Sequence, residues 1–179
     1  MICYCQMSCF VTVGSTQFDE LIETVCTKEA ISALKERGVS SVLIQCGNGK
    51  YRPVGYSIDD EWFSLYGMQV CFYRFKKAII EDLRRAHIVI AHGGAGTCLE
   101  ILELSKAGFV VINEHLMDNH QTELVERLAE LGHIIYATPA KLVTALETAD
   151  VSCLKPFSQN DTSNFVKYID RTLGIVHQY

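Results

Sequence analysis

Proline, positive charge and long apolar runs are all scarce in this sequence. Only three of its 179 residues are proline and 49% are hydrophobic, which argues against a disordered chain. The formal net charge of −5 and the lack of a basic stripe give no support for nucleic-acid binding. No apolar run approaches the roughly 20 residues that span a bilayer, and the first residues lack the basic segment of a signal peptide. We therefore expect a soluble, cytoplasmic protein with a single domain, residues 1–179.

Eight cysteines are present, but the spacing typical of a metal or disulfide framework is missing. No Cys-x-x-Cys pair occurs, and only Cys3, Cys5 and Cys9 lie close together in the sequence. Cys46 and Cys71 fall in apolar, strand-like runs, where a thiol behaves as a small hydrophobic side chain. We expect reduced thiols and no metal site, and the amino-terminal trio is the one place where a metal would be sought.

Strand-like and helix-like segments alternate along the chain. Apolar runs predict strands over residues 10–13, 41–45, 88–91, 109–112 and 133–136. Helices are predicted to begin at Lys28, Lys77, Thr97, Asp118 and Pro139, and three of them to end at Gly38, Gly108 and Gly132. This alternation indicates an α/β, Rossmann-like fold with a mostly parallel sheet and helices on both faces. Residues 50–75 are less regular and are interpreted as a possible antiparallel excursion.

Two polar segments follow consecutive predicted strands. His92-Gly-Gly-Ala-Gly-Thr-Cys-Leu-Glu100 comes directly after residues 88–91, and Asp118-Asn-His-Gln121 comes after residues 109–112. A glycine-rich turn from strand to helix presents unpaired N–H groups and the positive end of the helix dipole, which suits a phosphate or diphosphate. Because parallel strands end at one edge of a sheet, the two segments predict a ligand crevice at that edge.

Residues beside these segments have both a structural and a functional interpretation. Gly14-Ser15-Thr16, at the end of the first strand, either offers N–H groups and hydroxyls to a phosphate or starts a helix that Thr16 caps. His92 either donates to a diphosphate oxygen or is a structural histidine with its hydrogen bonds satisfied.

Glu100 and Gln121 are equally ambiguous. Thr97 and Glu100 have the spacing of a capping box, in which the glutamate would accept a hydrogen bond from the Thr97 N–H, and Asp118 with Gln121 fits the same spacing. Alternatively, the Glu100 carboxylate binds the ribose hydroxyls of a nucleotide whose phosphates lie on the glycine turn. Spacing leaves both interpretations open.

The segment from His92 to Glu100, with Gln121 further on, resembles the nucleotide-sugar signature of GT-B glycosyltransferases. In that signature a His-x-Gly turn binds the diphosphate, a glutamate eight positions later binds ribose, and a later glutamine binds the sugar. The sequence is most similar to the donor-binding subunits of two-part UDP-N-acetylglucosamine transferases of the dolichol pathway. Four segments carry this similarity. They are Phe10-Val-Thr-Val-Gly-Ser-Thr-Gln-Phe-Asp-Glu-Leu21, residues 91–100, Val111-Ile-Asn-Glu-His-Leu-Met-Asp-Asn-His-Gln121, and residues 150–174.

The resemblance implies a donor-binding, carboxyl-terminal GT-B half made as a separate polypeptide. A membrane-anchored partner would supply the acceptor half and hold this chain at the cytosolic face of the endoplasmic reticulum. The implied reaction is inverting, metal-independent transfer of N-acetylglucosamine from UDP-N-acetylglucosamine to N-acetylglucosaminyl-diphosphodolichol. No residue here is expected to be the general base, which we place in the partner. The predicted partner-docking element is the helix over residues 162–173, with its stripe of Phe165, Ile169 and Leu173.

The candidate site residues follow from the turns and from this resemblance together. The diphosphate is assigned to Gly14, Ser15, Thr16, His92, Gly94, Ala95, Gly96 and Thr97. Glu100 is assigned to ribose. The sugar is assigned to Asn119, His120 and Gln121, and uracil to Phe75 and Lys76. No cofactor and no metal are expected.

Three alternatives compete with this function. Gly93-Gly-Ala-Gly-Thr-Cys-Leu-Glu100 also resembles a motif of nucleoside-monophosphate phosphoribohydrolases, although that family has proline in place of His92 and the likeness ends after those eight residues. A nucleotide-binding regulator without catalytic activity is the second alternative. A nicotinamide-binding Rossmann site is weaker, since the turn lacks the third glycine and does not follow the first strand.

Overall fold

A computed structural model describes residues 7–113 and 119–157 of the chain, with the side chains of residues 119–121 excepted. Its seven strands are β1 (Met7–Thr12), β2 (Val39–Gln45), β3 (Trp62–Leu65), β4 (Met68–Tyr73), β5 (Ile88–His92), β6 (Ala107–Val111) and β7 (Ile135–Ala137). The helices are α1 (Asp19–Val25), α2 (Lys28–Glu36), α3 (Ile80–Arg85), α4 (Ala95–Glu103), α5 (Asn119–Glu130) and α6 (Pro139–Thr148). A 3-10 turn follows at Val151–Cys153.

The strands form one sheet in the order β3-β4-β2-β1-β5-β6-β7. Every neighbouring pair is parallel except β3 and β4, which pair antiparallel within the region expected to form an excursion. The predicted Rossmann-like sheet and its antiparallel excursion are confirmed. From β1 the chain builds outward through β2 and β4, then returns to place β5 on the other side of β1. The strand order therefore reverses between β1 and β5, the position where open α/β sheets bind ligands.

Two apolar layers cover the sheet, one on each face. Alternate residues of β1 point to opposite faces, so Cys9 and Val11 belong to one buried cluster and Phe10 to the other. The first cluster contains side chains of α1, α2 and α6, and the second contains those of α3, α4 and α5. Helices on both faces were predicted and are confirmed. That the whole chain forms one domain stays a prediction.

Helix boundaries follow local chemistry where capping residues are present. α2 begins after Thr27, whose Oγ1 accepts a hydrogen bond of 3.2 Å from the Ala30 N–H, and Gly38 follows its end with φ of +82°. α6 begins at Pro139 with Thr138 as its N-cap residue, although the Thr138 side chain makes no capping hydrogen bond. The predicted start at Lys77 was wrong, since α3 begins at Ile80.

The α4 boundaries differ from the prediction at both ends. The helix begins at Ala95 instead of Thr97, and it ends at Glu103 instead of Gly108. Gly108 lies inside β6, where an added Cβ would be 2.6 Å from Cγ2 of Ile101 on α4. This glycine therefore permits close contact between helix and strand and does not cap a helix.

The described cysteines are all free thiols. Five are buried, namely Cys9, Cys26, Cys46, Cys71 and Cys98, and Cys153 is exposed. Burial raises the pKa of the Cys98 thiol to about 12, so this thiol stays protonated near neutral pH. Cys3 and Cys5 lie outside the described residues. Within the described part of the chain, no helix has the length and apolar character to cross a membrane, and no three potential metal ligands converge.

Candidate functional site

The turns after β1 and β5 lie side by side at the sheet edge where the strand order reverses. Thr12 of β1 pairs with Ala91 of β5, so the segments that follow these residues leave the sheet as neighbours. We call residues 14–16 the β1 turn and residues 93–97 the β5 turn. Adjacent strands are about 4.8 Å apart, which brings the two turns within reach of one small ligand.

The β5 turn presents free backbone donors. The N–H groups of Gly93 and Gly94 are occupied, by Val111 O at 3.0 Å and His92 O at 2.7 Å. The first backbone hydrogen bond of α4 runs from Cys98 N to Gly94 O, and no side chain caps the helix start. The three intervening N–H groups, of residues 95–97, have no partner within the described residues. Of the backbone N–H groups in the β5 turn, only these three are therefore available to a ligand, and they lie at the positive end of the helix dipole.

The space beside these donors is open. An ideal Cβ added to Gly94 or Gly96 would meet no atom within 4 Å. Neither glycine has a positive φ, and Gly96 lies in the first turn of α4, where alanine is the better helix former. Gly94 is the N-cap residue of α4, a position where glycine is favoured. At Gly96, by contrast, neither backbone conformation nor packing within the described chain requires glycine. Close approach of a ligand to the backbone would account for the missing side chain at Gly96.

His92 carries an unsatisfied buried nitrogen at the end of β5. Its Nε2 is buried and has no hydrogen-bond partner in the described structure. The imidazole packs edge-on against Phe18, with ring centroids 5.6 Å apart. Burial lowers the pKa of His92, so the ring is neutral at neutral pH. A buried polar atom without a partner costs stability unless something else binds it, so a ligand near His92 is one way to satisfy this nitrogen, and both interpretations of His92 stay open.

Glu100 lies on α4 but not in a capping box. Thr97 is the third residue of the helix and Gly94 is its N-cap residue, so the predicted capping pair was wrong. The half-buried Glu100 carboxylate makes no hydrogen bond or ion pair with any described residue. Burial raises its pKa, and the neighbouring Glu103 carboxylate adds to the effect. With the capping interpretation removed, Glu100 is free to bind a ligand.

Hydrogen bonds to Gln45 and Val13 fix the conformation of the β1 turn. The Gly14 N–H donates to Oε1 of Gln45 at 2.9 Å, and the Thr16 hydroxyl donates to Val13 O at 2.6 Å. Thr16 does not cap α1, whose N-cap residue is Phe18. The exposed Ser15 keeps both its N–H and its hydroxyl without a partner among the described residues. Of the three residues assigned to the diphosphate here, Ser15 has the most free donors.

Gln45 was missed by the sequence analysis although it organises this edge of the sheet. It is 3% exposed and its amide makes four hydrogen bonds. The available signal was a polar side chain that ends the apolar run of β2.

The residues assigned to uracil follow β4, two strands away from β1. The Phe75 side chain is 55% exposed and free to stack on a ligand. Lys76 is already engaged, since its Nζ lies 3.0 Å from Oδ2 of Asp82 and 4.0 Å from the centre of the Tyr73 ring. Phe75 is therefore better placed than Lys76 to contact a base.

The residues assigned to the sugar begin α5. Asn119, His120 and Gln121 occupy its first turn, but their side chains lie outside the described structure, as does Asp118. α5 follows β6, the neighbour of β5, so its start emerges at the same sheet edge.

The sequence matches the glycosyltransferase family 28 C-terminal domain over residues 8–173. The chain belongs to this family. Several proteins with assigned names are similar in sequence to this family 28 domain. It is 42% identical over 133 residues to the human UDP-N-acetylglucosamine transferase subunit ALG13, covering 74% of this chain and 11% of the relative. The Saccharomyces cerevisiae subunit of the same name is 27% identical, with 92% of this chain and 95% of the relative covered. The family 28 domain thus spans about a tenth of the human and mouse relatives.

Solved structures support the fold of this family 28 domain. An NMR solution structure of ALG13 matches 97% of this chain and 98% of its own, with a TM-score of 0.66 and 23% identity. The crystal structure of Acinetobacter baumannii MurG matches 95% of this chain with a TM-score of 0.56 and 17% identity. Only 48% of the MurG chain is covered, so the family 28 domain corresponds in fold to about half of that structure.

Proposed function

We propose that this domain is the donor-binding half of a UDP-N-acetylglucosamine transferase. The reaction is transfer of N-acetylglucosamine to N-acetylglucosaminyl-diphosphodolichol, with inversion and without a metal or cofactor. Relatives named as UDP-N-acetylglucosamine transferase subunits support the donor, and the free donors of the β5 turn support a diphosphate. Binding and activity measurements distinguish this function from the two alternatives, a nucleoside-monophosphate phosphoribohydrolase and a nucleotide-binding regulator.

The single observation that carries this proposal is the β5 turn with its three free N–H groups beside open space. When the glycosidic bond to the donor breaks, negative charge grows on the departing diphosphate. Fixed N–H donors and the dipole of α4 stabilise that charge without having to reorient. His92, at the same strand end, is the further residue that we assign to the diphosphate.

The remaining site residues are assigned by position. Glu100 lies one helical turn beyond Gly96, so its carboxylate is placed to accept hydrogen bonds from ribose hydroxyls. Phe75 and Lys76 would bound the uracil. The sugar hydroxyls would be bound by residues 119–121, at the start of α5.

The acceptor side of the reaction is assigned to a partner. A membrane-anchored subunit would supply the acceptor half and the general base, and it would recruit this chain to the cytosolic face of the endoplasmic reticulum. Relatives named as subunits support a multi-chain enzyme. The predicted docking helix, residues 162–173 with Phe165, Ile169 and Leu173, lies outside the described residues.

Calorimetric titration with UDP, UDP-N-acetylglucosamine and AMP tests the donor assignment. We expect saturable binding of both uridine ligands, no hydrolysis of AMP, and transfer only when the membrane partner is co-expressed. AMP hydrolysis would favour the phosphoribohydrolase, and nucleotide binding without transfer in the complex would favour a regulator. Robust transfer by the purified chain alone would contradict the assignment of the base to the partner.

Replacing both Phe165 and Ile169 by Ser tests the docking helix. We expect loss of co-purification with the membrane subunit, because an apolar stripe at a subunit interface contributes most of its binding energy. Circular dichroism and the melting temperature should stay nearly unchanged. Collapse of the fold would show instead that the helix belongs to this domain's own core, and unchanged association would place docking elsewhere.

A further inference from the structure

Gln45 connects three strand ends beneath the proposed donor site. Its Oε1 accepts hydrogen bonds from the Thr12 hydroxyl at 2.6 Å and from the Gly14 N–H at 2.9 Å. Its Nε2 donates to Gly14 O at 2.7 Å and to Arg74 O at 2.8 Å. Both partners of Oε1 are donors and both partners of Nε2 are carbonyls, so the orientation of the amide is fixed by its surroundings.

The first consequence concerns the β1 turn. Every described peptide bond is trans, so the N–H of Ser15 points opposite to the carbonyl of Gly14 in the same peptide plane. Because Nε2 of Gln45 holds that carbonyl against the sheet, the Ser15 N–H is directed away from the sheet. Asn48 assists, since its Nδ2 donates to Ser15 O at 2.7 Å and its N–H to Thr16 O at 3.2 Å. All three carbonyls of the turn are thereby bound.

The second consequence concerns the segment after β4. The Arg74 carbonyl and the Phe75 N–H share one peptide plane and point in opposite directions. Nε2 of Gln45 holds the Arg74 carbonyl inward, so the Phe75 N–H is directed outward and has no partner among the described residues. One buried amide therefore sets the direction of two free N–H groups, one on each side of β2.

We propose that Gln45 is a positioning residue that aligns Ser15 and Phe75 for one ligand, Ser15 toward a phosphate and Phe75 toward the base. This inference rests on the proposed nucleotide-sugar function. Gln45 itself is 3% exposed and does not touch the ligand. Its role is to keep the phosphate-binding and base-binding segments at a fixed separation, which lowers the entropy lost when a nucleotide bridges them.

Gln45→Met tests the inference, because methionine has a similar length but cannot donate to either carbonyl. We expect the Kd for UDP, measured by calorimetry well below the melting temperature, to rise about tenfold. Gln69→Met is the matched control, since Gln69 is an exposed glutamine on β4 and its replacement should leave the Kd unchanged. The amide resonances of Ser15 and Phe75 should both shift in the Gln45 variant.

Gln45→Glu gives a readout that a merely structural role would not produce. A carboxylate keeps the two accepting contacts but repels the carbonyls of Gly14 and Arg74, and burial raises the pKa of such a carboxyl. Once protonated, it can donate to one carbonyl again. We therefore expect affinity for UDP-N-acetylglucosamine, relative to wild type at each pH, to recover as the pH falls from about 8 to about 5.5.

The outcomes separate this inference from the function on which it rests. If wild-type protein does not bind UDP, the proposed function fails, and this role for Gln45 fails with it. If wild type binds and Gln45→Met lowers the melting temperature without changing the Kd, Gln45 only stabilises the fold. A Gln45→Glu affinity that stays at a constant ratio to wild type across that pH range would also overturn the positioning role.

Discussion

The two turns at the reversal point of the sheet use their backbone in opposite ways. In the β1 turn all three carbonyls accept hydrogen bonds, and the neighbouring Gly47 packs against them so closely that an added Cβ would lie 2.5 Å from Gly14 O. In the β5 turn three successive N–H groups have no partner in the described structure. A Cβ at Gly94 or Gly96 would meet nothing there.

This difference separates a turn whose conformation is fixed through its carbonyls, with Ser15 as its free donor, from a turn that presents three successive free donors. A backbone whose carbonyls are all bound has a fixed conformation, and its glycines are explained by packing or by positive φ. The β5 turn has free donors and places Gly96 inside the first turn of α4, which forgoes helix stability of up to about 1 kcal/mol without any gain visible in the described structure. A local loss of helix stability of this kind is typical of a functional segment. Variants on each side test this contrast.

The largest expected effect is on the β1 side, from Gly47→Ala. The new Cβ would lie 2.5 Å from Gly14 O and 2.7 Å from Thr16 O, at a residue with φ of +53°. Strain and overpacking together should lower the free energy of unfolding by about 2–4 kcal/mol, measured by urea denaturation. Gly14→Ala is the matched control, because φ is +64° but nothing lies within 4 Å. Equal losses in the two variants would show that the close contact has no energetic weight.

Next in size is the effect of Glu100→Gln on the β5 side. Loss of a charge-assisted hydrogen bond of about 1.5–3 kcal/mol should reduce transfer by the complex tenfold or more. The melting temperature should hardly change, since the carboxylate has no partner in the described structure. Glu103→Gln, on the same helix but exposed, should leave transfer intact. Activity that survives in Glu100→Gln would remove the ribose role.

Gly96→Ala should have effects of opposite sign on stability and binding. The free energy of unfolding should rise by up to about 1 kcal/mol, because alanine is the better helix former and its Cβ meets no atom. The Kd for UDP should increase about tenfold as the methyl group crowds the diphosphate. A variant that is more stable and binds UDP as wild type does would show that the open space is not part of the site.

The smallest expected effect is the pH dependence of donor binding through His92. Burial lowers the pKa of His92 in the free protein, and a nearby diphosphate would raise it, so binding takes up a proton. Affinity for UDP-N-acetylglucosamine should therefore increase as the pH falls from about 8 to about 6, by no more than about threefold. The change should disappear in His92→Asn. A binding curve independent of pH in wild type would place His92 away from the diphosphate.

The sequence predicted the parts of the molecule that depend on local pattern. The strands, the glycine turn after β5 and the antiparallel excursion follow from periodicity and turn residues. The capping pair of Thr97 and Glu100 was wrong because spacing cannot show that α4 begins two residues earlier. The prediction that a helix ends at Gly108 was wrong, because in the sequence a glycine needed for close packing against Ile101 resembles a helix-terminating glycine. Gln45 was missed because its four partner atoms belong to the ends of β1 and β4, which meet the end of β2 only in the folded sheet.

The contact between Gly108 and Ile101 also has a mechanical consequence. A Cβ at Gly108 would lie 2.6 Å from Cγ2 of Ile101, so β6 sets how deeply α4 can sit on the sheet. The other end of α4 presents the three N–H groups that have no partner among the described residues. A methyl group at Gly108 would therefore require a shift, either of the Ile101 side chain or of α4 together with its three donors. The close packing of Gly108 at one end of α4 thereby contributes to the position of the backbone donors at its other end.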